Sequence, residues 1–107
     1  MPESIGALTE AVFYILLSLY QPLHGYGIMQ NVAALSRGRV ALGAGTLYGA
    51  INTLVDKGWI IQLEENTDSR KKEYVITALG KAAVETELNR LEELLSNGRR
   101  ITGGAMQ

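Results

Sequence analysis

The sequence predicts a mostly α-helical chain with one small β-hairpin, an α+β fold, and three observations carry that prediction. Apolar residues recur at helical spacing from Leu8 to Tyr20 and again from Leu79 to Leu95. The stretch Gly43 to Trp59, GAGTLYGAINTLVDKGW, puts Ala44, Leu47, Ala50, Ile51, Leu54 and Val55 on one helical face and Gly45, Thr46, Tyr48, Gly49, Asn52, Thr53 and Asp56 on the other. Two short β-prone runs, Trp59 to Glu65 and Glu73 to Thr77, enclose the turn-forming cluster Asn66-Thr67-Asp68-Ser69. With 107 residues, 47% of them hydrophobic, the chain suffices for one core and an appended helix, so a second domain is not expected.

The first helix carries two overlapping apolar series, Leu8, Val12, Ile15, Leu16, Leu19 and Phe13, Leu17, Tyr20, and is therefore apolar nearly all round. A core this small covers only one of those faces, which predicts that a second copy of the chain covers the other. Gln21-Pro22-Leu23 ends the helix, because proline disfavours α geometry in the residue before it. His24-Gly25-Tyr26-Gly27 then leads into a second helix with Ile28, Met29, Val32, Ala33 and Leu35 on one face, closed by Ser36-Arg37-Gly38. The link from Arg39 to Leu42 is short, so the second helix and the Gly43 helix are neighbours, as in a helix-turn-helix. Gly58 stands where a left-handed helix cap belongs, and the chain passes from it directly into a strand, as a winged-helix recognition helix passes into its wing.

Thr77 is expected to N-cap a last helix in which Leu79, Val84, Leu88, Leu91 and Leu95 recur with glutamates between them. Few residues remain to bury that helix, so it too is assigned to a subunit contact. The expected organisation is a winged helix-turn-helix unit over residues 1–77, a dimerisation helix over 78–97 and a flexible tail over 98–107, which opens with the breaker Gly98. Val12 and Leu16 of the first helix and Val84, Leu88, Leu91 and Leu95 of the last are the residues expected between subunits.

Composition narrows the function. The chain has no cysteine, which excludes disulfides, thiolate metal sites and a cysteine nucleophile. Its single histidine, His24, has no carboxylate pair or second histidine with which to build a metal site or a triad; it is read as a turn residue, with phosphate donation as the alternative. Gly43-Ala44-Gly45 lacks the preceding strand and longer motif of a phosphate loop. No enzyme activity, cofactor or metal is expected. The first ten residues are acidic and the apolar run Ala11 to Tyr20 is too short to span a bilayer, so a cytoplasmic chain with no membrane partner is expected.

The formal net charge of −1 argues mildly against a nucleic-acid partner, but distribution outweighs the sum. Basic residues gather at Arg37 and Arg39 in one loop and at Arg70-Lys71-Lys72 in another. Thr46 and Tyr48 at the start of the Gly43 helix are placed to meet a major groove, with Gly45 allowing close approach and Asn52 a candidate for adenine readout. A half-buried aromatic at the edge of the apolar face is the other reading of Tyr48. Arg70, Lys71 and Lys72 are placed to grip the DNA backbone or minor groove.

Three motifs in order, Leu23-His24-Gly25-Tyr26, then Gly45-Thr46-Leu47-Tyr48 with Leu54 and Gly58, then Arg70-Lys71-Lys72 through Tyr74, Ile76, Thr77 and Gly80, resemble the signature of PadR-type transcriptional regulators. The resemblance runs from about residue 8 to 95 and is closest to the subgroup with a short C-terminal helix. It implies a winged-helix domain binding double-stranded operator DNA, a homodimer held by the last helix, and a repressor role relieved by a small molecule; Tyr26 joins the candidate DNA contacts. Departures are Gly43-Ala44 where the family often has Ser-Pro, and Glu73-Tyr74 where it often has paired tyrosines. No aromatic follows Tyr74, so the tryptophan that multidrug-sensing members carry on the last helix is missing at about Leu91. A small apolar or phenolic effector between subunits, near Phe13, Leu17 and Leu91, is the expectation for ligand binding. The near-neutral charge keeps one alternative, a winged-helix protein-interaction module that does not bind DNA.

Overall fold

Thr9 starts the first helix. Its backbone is extended, its Oγ1 accepts the Val12 N–H at 3.1 Å, and Glu10 sets a carboxylate in the first turn, where the helix dipole favours it. The computed structural model describes residues 6–63 and 72–103. In chain order it runs α1 (Glu10–Ser18), β1 (Leu23–His24), α2 (Gly25–Leu35), α3 (Ala44–Asp56), β2 (Ile60–Leu63), β3 (Glu73–Ile76) and α4 (Ala78–Thr102).

α1 packs against α2 and α4, and its Ile15 and Leu16 lie in the core with Ile28, Val32, Leu47, Ile51, Leu54 and Val84. Each such side chain contributes about 1.5–3 kcal/mol by leaving water. The second apolar series is not left wholly bare: Phe13 and Leu17 pack against the edge of the same core. Ser18 is buried among these residues and stays satisfied by donating to the Tyr14 carbonyl at 2.8 Å and accepting from Asn31 of α2 at 2.9 Å.

The segment after Pro22, read from sequence as a turn, holds a strand. β1 pairs antiparallel with β3, Leu23 opposite Tyr74 and His24 opposite Glu73, giving a three-stranded sheet in the order β1-β3-β2 among the described residues. Two residues are too few to show an alternating pattern, which is why the sequence does not betray it. His24 keeps its expected place at a chain reversal and gains a role, its Nδ1 accepting the Gly27 N–H at 3.3 Å as the N-cap of α2. β2 and β3 pair in register with Ile60 opposite Ile76 and Leu63 opposite Glu73, the expected hairpin; the turn cluster 66–69 lies outside the described residues.

Thr77 fastens this sheet to the last helix. Its Oγ1 accepts the Gly80 N–H at 3.0 Å as N-cap and donates to the Gly58 carbonyl at 2.7 Å, while its own N–H donates to the Trp59 carbonyl at 2.9 Å. Gly58 has φ 77°, the left-handed cap expected of it. A Cβ on Gly80 would collide with the Trp59 carbonyl oxygen, so only glycine lets α4 lie this close to the wing.

α4 corrects the expected boundary. It does not end at residue 97 but runs through Gly98 to Thr102, with Gly103 at φ 78° as its left-handed cap. An interior glycine costs roughly 1 kcal/mol relative to alanine, and that is less than a sharp stop requires when Arg99 and Arg100 follow in the last turn, where cations suit the dipole.

Candidate nucleic-acid interface

α3 separates its two faces as its periodicity predicts. Leu47, Ile51 and Leu54 are buried, whereas Gly45, Thr46, Gly49 and Asn52 are exposed. Val55, assigned to the core face, is instead exposed, because it sits on the flank where the core ends. Gly43 caps the helix with backbone alone, Leu47 N–H reaching its carbonyl at 2.9 Å, and no side chain bonds to the first-turn N–H groups. These donors point outward with the positive end of the helix dipole, a surface that suits a phosphate. A Cβ on Gly45 or Gly49 would meet nothing within 4 Å, so the protein's own packing does not demand glycine there, and the smallness leaves a flat surface.

Tyr48 is divided between two roles. Its ring is 44% exposed, but its hydroxyl end lies over Gly25 at the start of α2, where any Cβ would strike it. The buried Tyr74 phenol is pushed above its ordinary value by burial and, secondarily, by Tyr48 nearby. Gly25 and Tyr48 therefore form one packing unit that joins two separate sequence motifs. The exposed Tyr26, one residue on, accepts a hydrogen bond from Gln30 at 3.3 Å. The Asn52 side chain makes no hydrogen bond to a described residue, while Thr53 turns its hydroxyl back to the Gly49 carbonyl at 3.2 Å.

Of the basic clusters, Lys72 is exposed immediately before β3, and Arg70 and Lys71 lie outside the described residues. Arg39 is held by Glu10 of α1, with its Nε 3.1 Å from the carboxylate, and this pairing raises the guanidinium pKa further. Arg37, exposed in the same α2–α3 loop, is in a left-handed conformation at φ 54°. Buried Ser36 fixes that loop by accepting the Val40 N–H at 2.9 Å.

The residues expected between subunits divide. Leu88 and Leu91 are each 39% exposed and Leu95 is 58% exposed, on the part of α4 that the rest of the chain does not cover. Val12 is partly buried. Leu16 and Val84 do not belong with them: at 0% and 1% exposure they are interior to one subunit, because α1 and α4 pack on each other and use those side chains there. Phe13 and Leu17 border the core and Leu91 is exposed on α4, and none of the three lines either of the cavities described among these residues. A cavity of about 640 Å³ lies elsewhere, between the segment leading into α1, the inner flank of α3 and Trp59. Its one trace in the sequence is an isolated tryptophan at a helix-to-strand junction.

Two helices in a short turn, the second presenting a small polar face beside a β-hairpin wing, define a winged-helix regulator class. The family model described as "Transcriptional regulator PadR-like family" matches residues 12–86. The chain belongs to that family, whose members are transcriptional regulators and not enzymes. A comparison with curated proteins finds no match. Among solved structures, a PadR family transcriptional regulator from Eggerthella lenta aligns at TM-score 0.69 and 22% identity, over 85% of this chain and 80% of that one. A PadR-like transcription factor from Bacteroides fragilis aligns at 0.68 and 20%, covering 85% and 87%. Sso10a-2, a DNA-binding protein from Sulfolobus solfataricus, aligns at 0.62 and 19%, covering 92% and 95%. These likenesses establish the fold. None of the helices among the described residues is long and apolar enough to cross a membrane.

Proposed function

We propose that this chain is a homodimeric, sequence-specific DNA-binding regulator that represses transcription in the cytoplasm and is relieved by a small apolar or phenolic effector. The observation that carries the reading is the outward face of α3, small, polar and open at an N-terminus without a side-chain cap. In this reading the first turn of α3 lies against the major groove, with Gly45 permitting backbone approach, Thr46 and Asn52 reading base edges, and Tyr48 setting the spacing from α2. Tyr26, Arg70, Lys71 and Lys72 contact phosphates or the minor groove. Residues 1–77 form the DNA-binding unit, and α4 carries the dimer contact through Leu88, Leu91 and Leu95, with Val12 of the first helix beside them.

Selection of bound duplexes from the native genomic neighbourhood tests this. Lys71→Ala with Lys72→Ala is expected to weaken binding to all duplexes and to lower the salt slope by roughly two units, one for each phosphate no longer neutralised. Altered base preference with an unchanged slope would overturn the assigned roles. Failure to bind any duplex at low salt would favour the protein-interaction module, which the net charge of −1 supports.

A further inference from the structure

We propose that the cavity beside Trp59 is a binding site, within one subunit, for an apolar molecule carrying a single negative charge, and that its occupancy adjusts the setting of α3. The consequence for DNA rests on the proposed role of α3 in the major groove; the binding itself does not. At about 640 Å³ the cavity has the size of a small-molecule site, and its walls are mainly apolar, from Leu8, Val12, Ala50, Leu54 and Trp59. Among its described lining residues the only charged one is Lys57, whose ammonium stands 5.2 Å from the centroid of the Trp59 ring. Lys57 forms no ion pair with a described residue. Thr9 adds a second donor: its hydroxyl oxygen already accepts the Val12 N–H, which leaves the hydroxyl proton for a ligand. Two donors, an aromatic wall, an aliphatic floor and no carboxylate among the described lining residues select an anion with a compact apolar body over a cation or a sugar.

The walls of the cavity belong to the elements that position α3. Ala50 and Leu54 of α3, with its C-cap Lys57, occupy one flank at i, i+4 and i+7, and Thr53 joins that flank to the polar face. Leu8, on the other wall, lies by the Glu87 carboxylate of α4, its backbone N–H helping to hold that carboxyl's pKa down. A ligand seated between them bears on the spacing of α3 from the segment that α4 holds. It shifts DNA affinity by the ratio of its affinities for the DNA-compatible and DNA-incompatible spacings.

Trp59 is the only tryptophan in the chain, so its emission reports the cavity directly. The unmodified protein is titrated with 4-butylbenzoate, its neutral amide 4-butylbenzamide and the cation 4-butylbenzylammonium. The acid is expected to change Trp59 emission saturably, with affinity about fivefold above that of the amide and the cation weakest. Lys57→Gln, at an exposed position, should erase the preference for the acid, bringing its affinity to that of the amide for the same variant. Ala50→Leu should weaken acid and amide alike by filling the space, and if it fails to fold, Lys57→Gln still decides. Equal affinity for the three probes would overturn the site, as would a preference for the acid that survives Lys57→Gln. Binding abolished in Phe13→Ala but retained in Lys57→Gln would move the site to the subunit junction. Emission changes seen only in a Leu88→Glu, Leu91→Glu monomer would assign the cavity to the partner's last helix and reject the ligand. In the presence of a selected duplex, saturating acid should lower DNA affinity severalfold, and no change would overturn the coupling. If no duplex is bound, the DNA reading fails while the emission titration judges the cavity independently.

Discussion

Thr77 joins three elements through one side chain. The hydroxyl caps α4 and bonds the Gly58 carbonyl at the end of α3, and the residue's N–H bonds Trp59, so helix, cap and strand share one small junction. Thr77→Ala should therefore cost about 1–2 kcal/mol by removing a cap and one further hydrogen bond, whereas Thr77→Ser should restore most of it. Urea denaturation of the two variants at fixed protein concentration measures the difference, and an alanine variant as stable as the parent would show the junction to be dispensable. Its counterpart at the other side of the wing is Gly25 beneath Tyr48, where the missing side chain of one residue makes room for the ring of another.

α4 behaves differently in its two halves. Gly80, Ala83, Val84 and Glu87 are buried against the domain, and beyond Arg90 the helix is exposed as far as Thr102. Leu88, just before Arg90, and Leu91, Leu94 and Leu95 beyond it are all exposed, apolar surface of the kind that marks a contact between chains. Leu88→Glu with Leu91→Glu is accordingly expected to convert the proposed dimer to a monomer while leaving α1, α2 and α3 in place. Sedimentation of both forms at low micromolar concentration checks it. A parent protein that is already a compact monomer there would show that α4 makes no subunit contact. Leu16 and Val84 are not suitable targets for this test, since replacing either opens the core, at about 2–5 kcal/mol for truncation of a leucine to alanine.

For the molecule as a whole, the geometry is set by a 25-residue α4, roughly 37 Å long at helical rise, in a subunit of 55 × 37 × 21 Å. The buried Glu87 lies where that helix meets the segment before α1. The Arg90 guanidinium bonds its carboxylate at 2.9 and 2.6 Å and holds its pKa below the usual carboxylate range; burial opposes this, and the Leu8 N–H reinforces it. Because the folded-state pKa is depressed, the stabilisation is complete above the unfolded value, about 4.3, and is lost as pH falls through the lower folded value. Glu87→Gln should thus destabilise the protein at neutral pH, and the gap between variant and parent should narrow as pH is lowered below about 4. Denaturant midpoints from neutral pH down through the carboxylate range, at one protein concentration, give the comparison. A gap that is constant across this range would mean that the carboxylate charge contributes nothing to the α1–α4 connection.

The local grammar of the sequence settled the element types. The helical period of α3, the left-handed glycine after it and the threonine before α4 are short-range facts, because caps and amphipathic faces depend on residues within a turn of one another. It also settled the family, through motifs spread along the chain and matched over residues 12–86. Tertiary packing decided which apolar residues are interior. Leu16 and Leu91 look alike in sequence, yet one lies at 0% exposure and the other at 39%, since burial is fixed by which faces of distant helices meet. The same holds for β1, which needs β3 to become a strand, for Gly25, which needs Tyr48 to show why it is glycine, and for the cavity beside Trp59, whose walls join the segment before α1 to the far end of α3. Contacts of that separation leave no periodicity to read, so they become visible only when the chain has closed on itself.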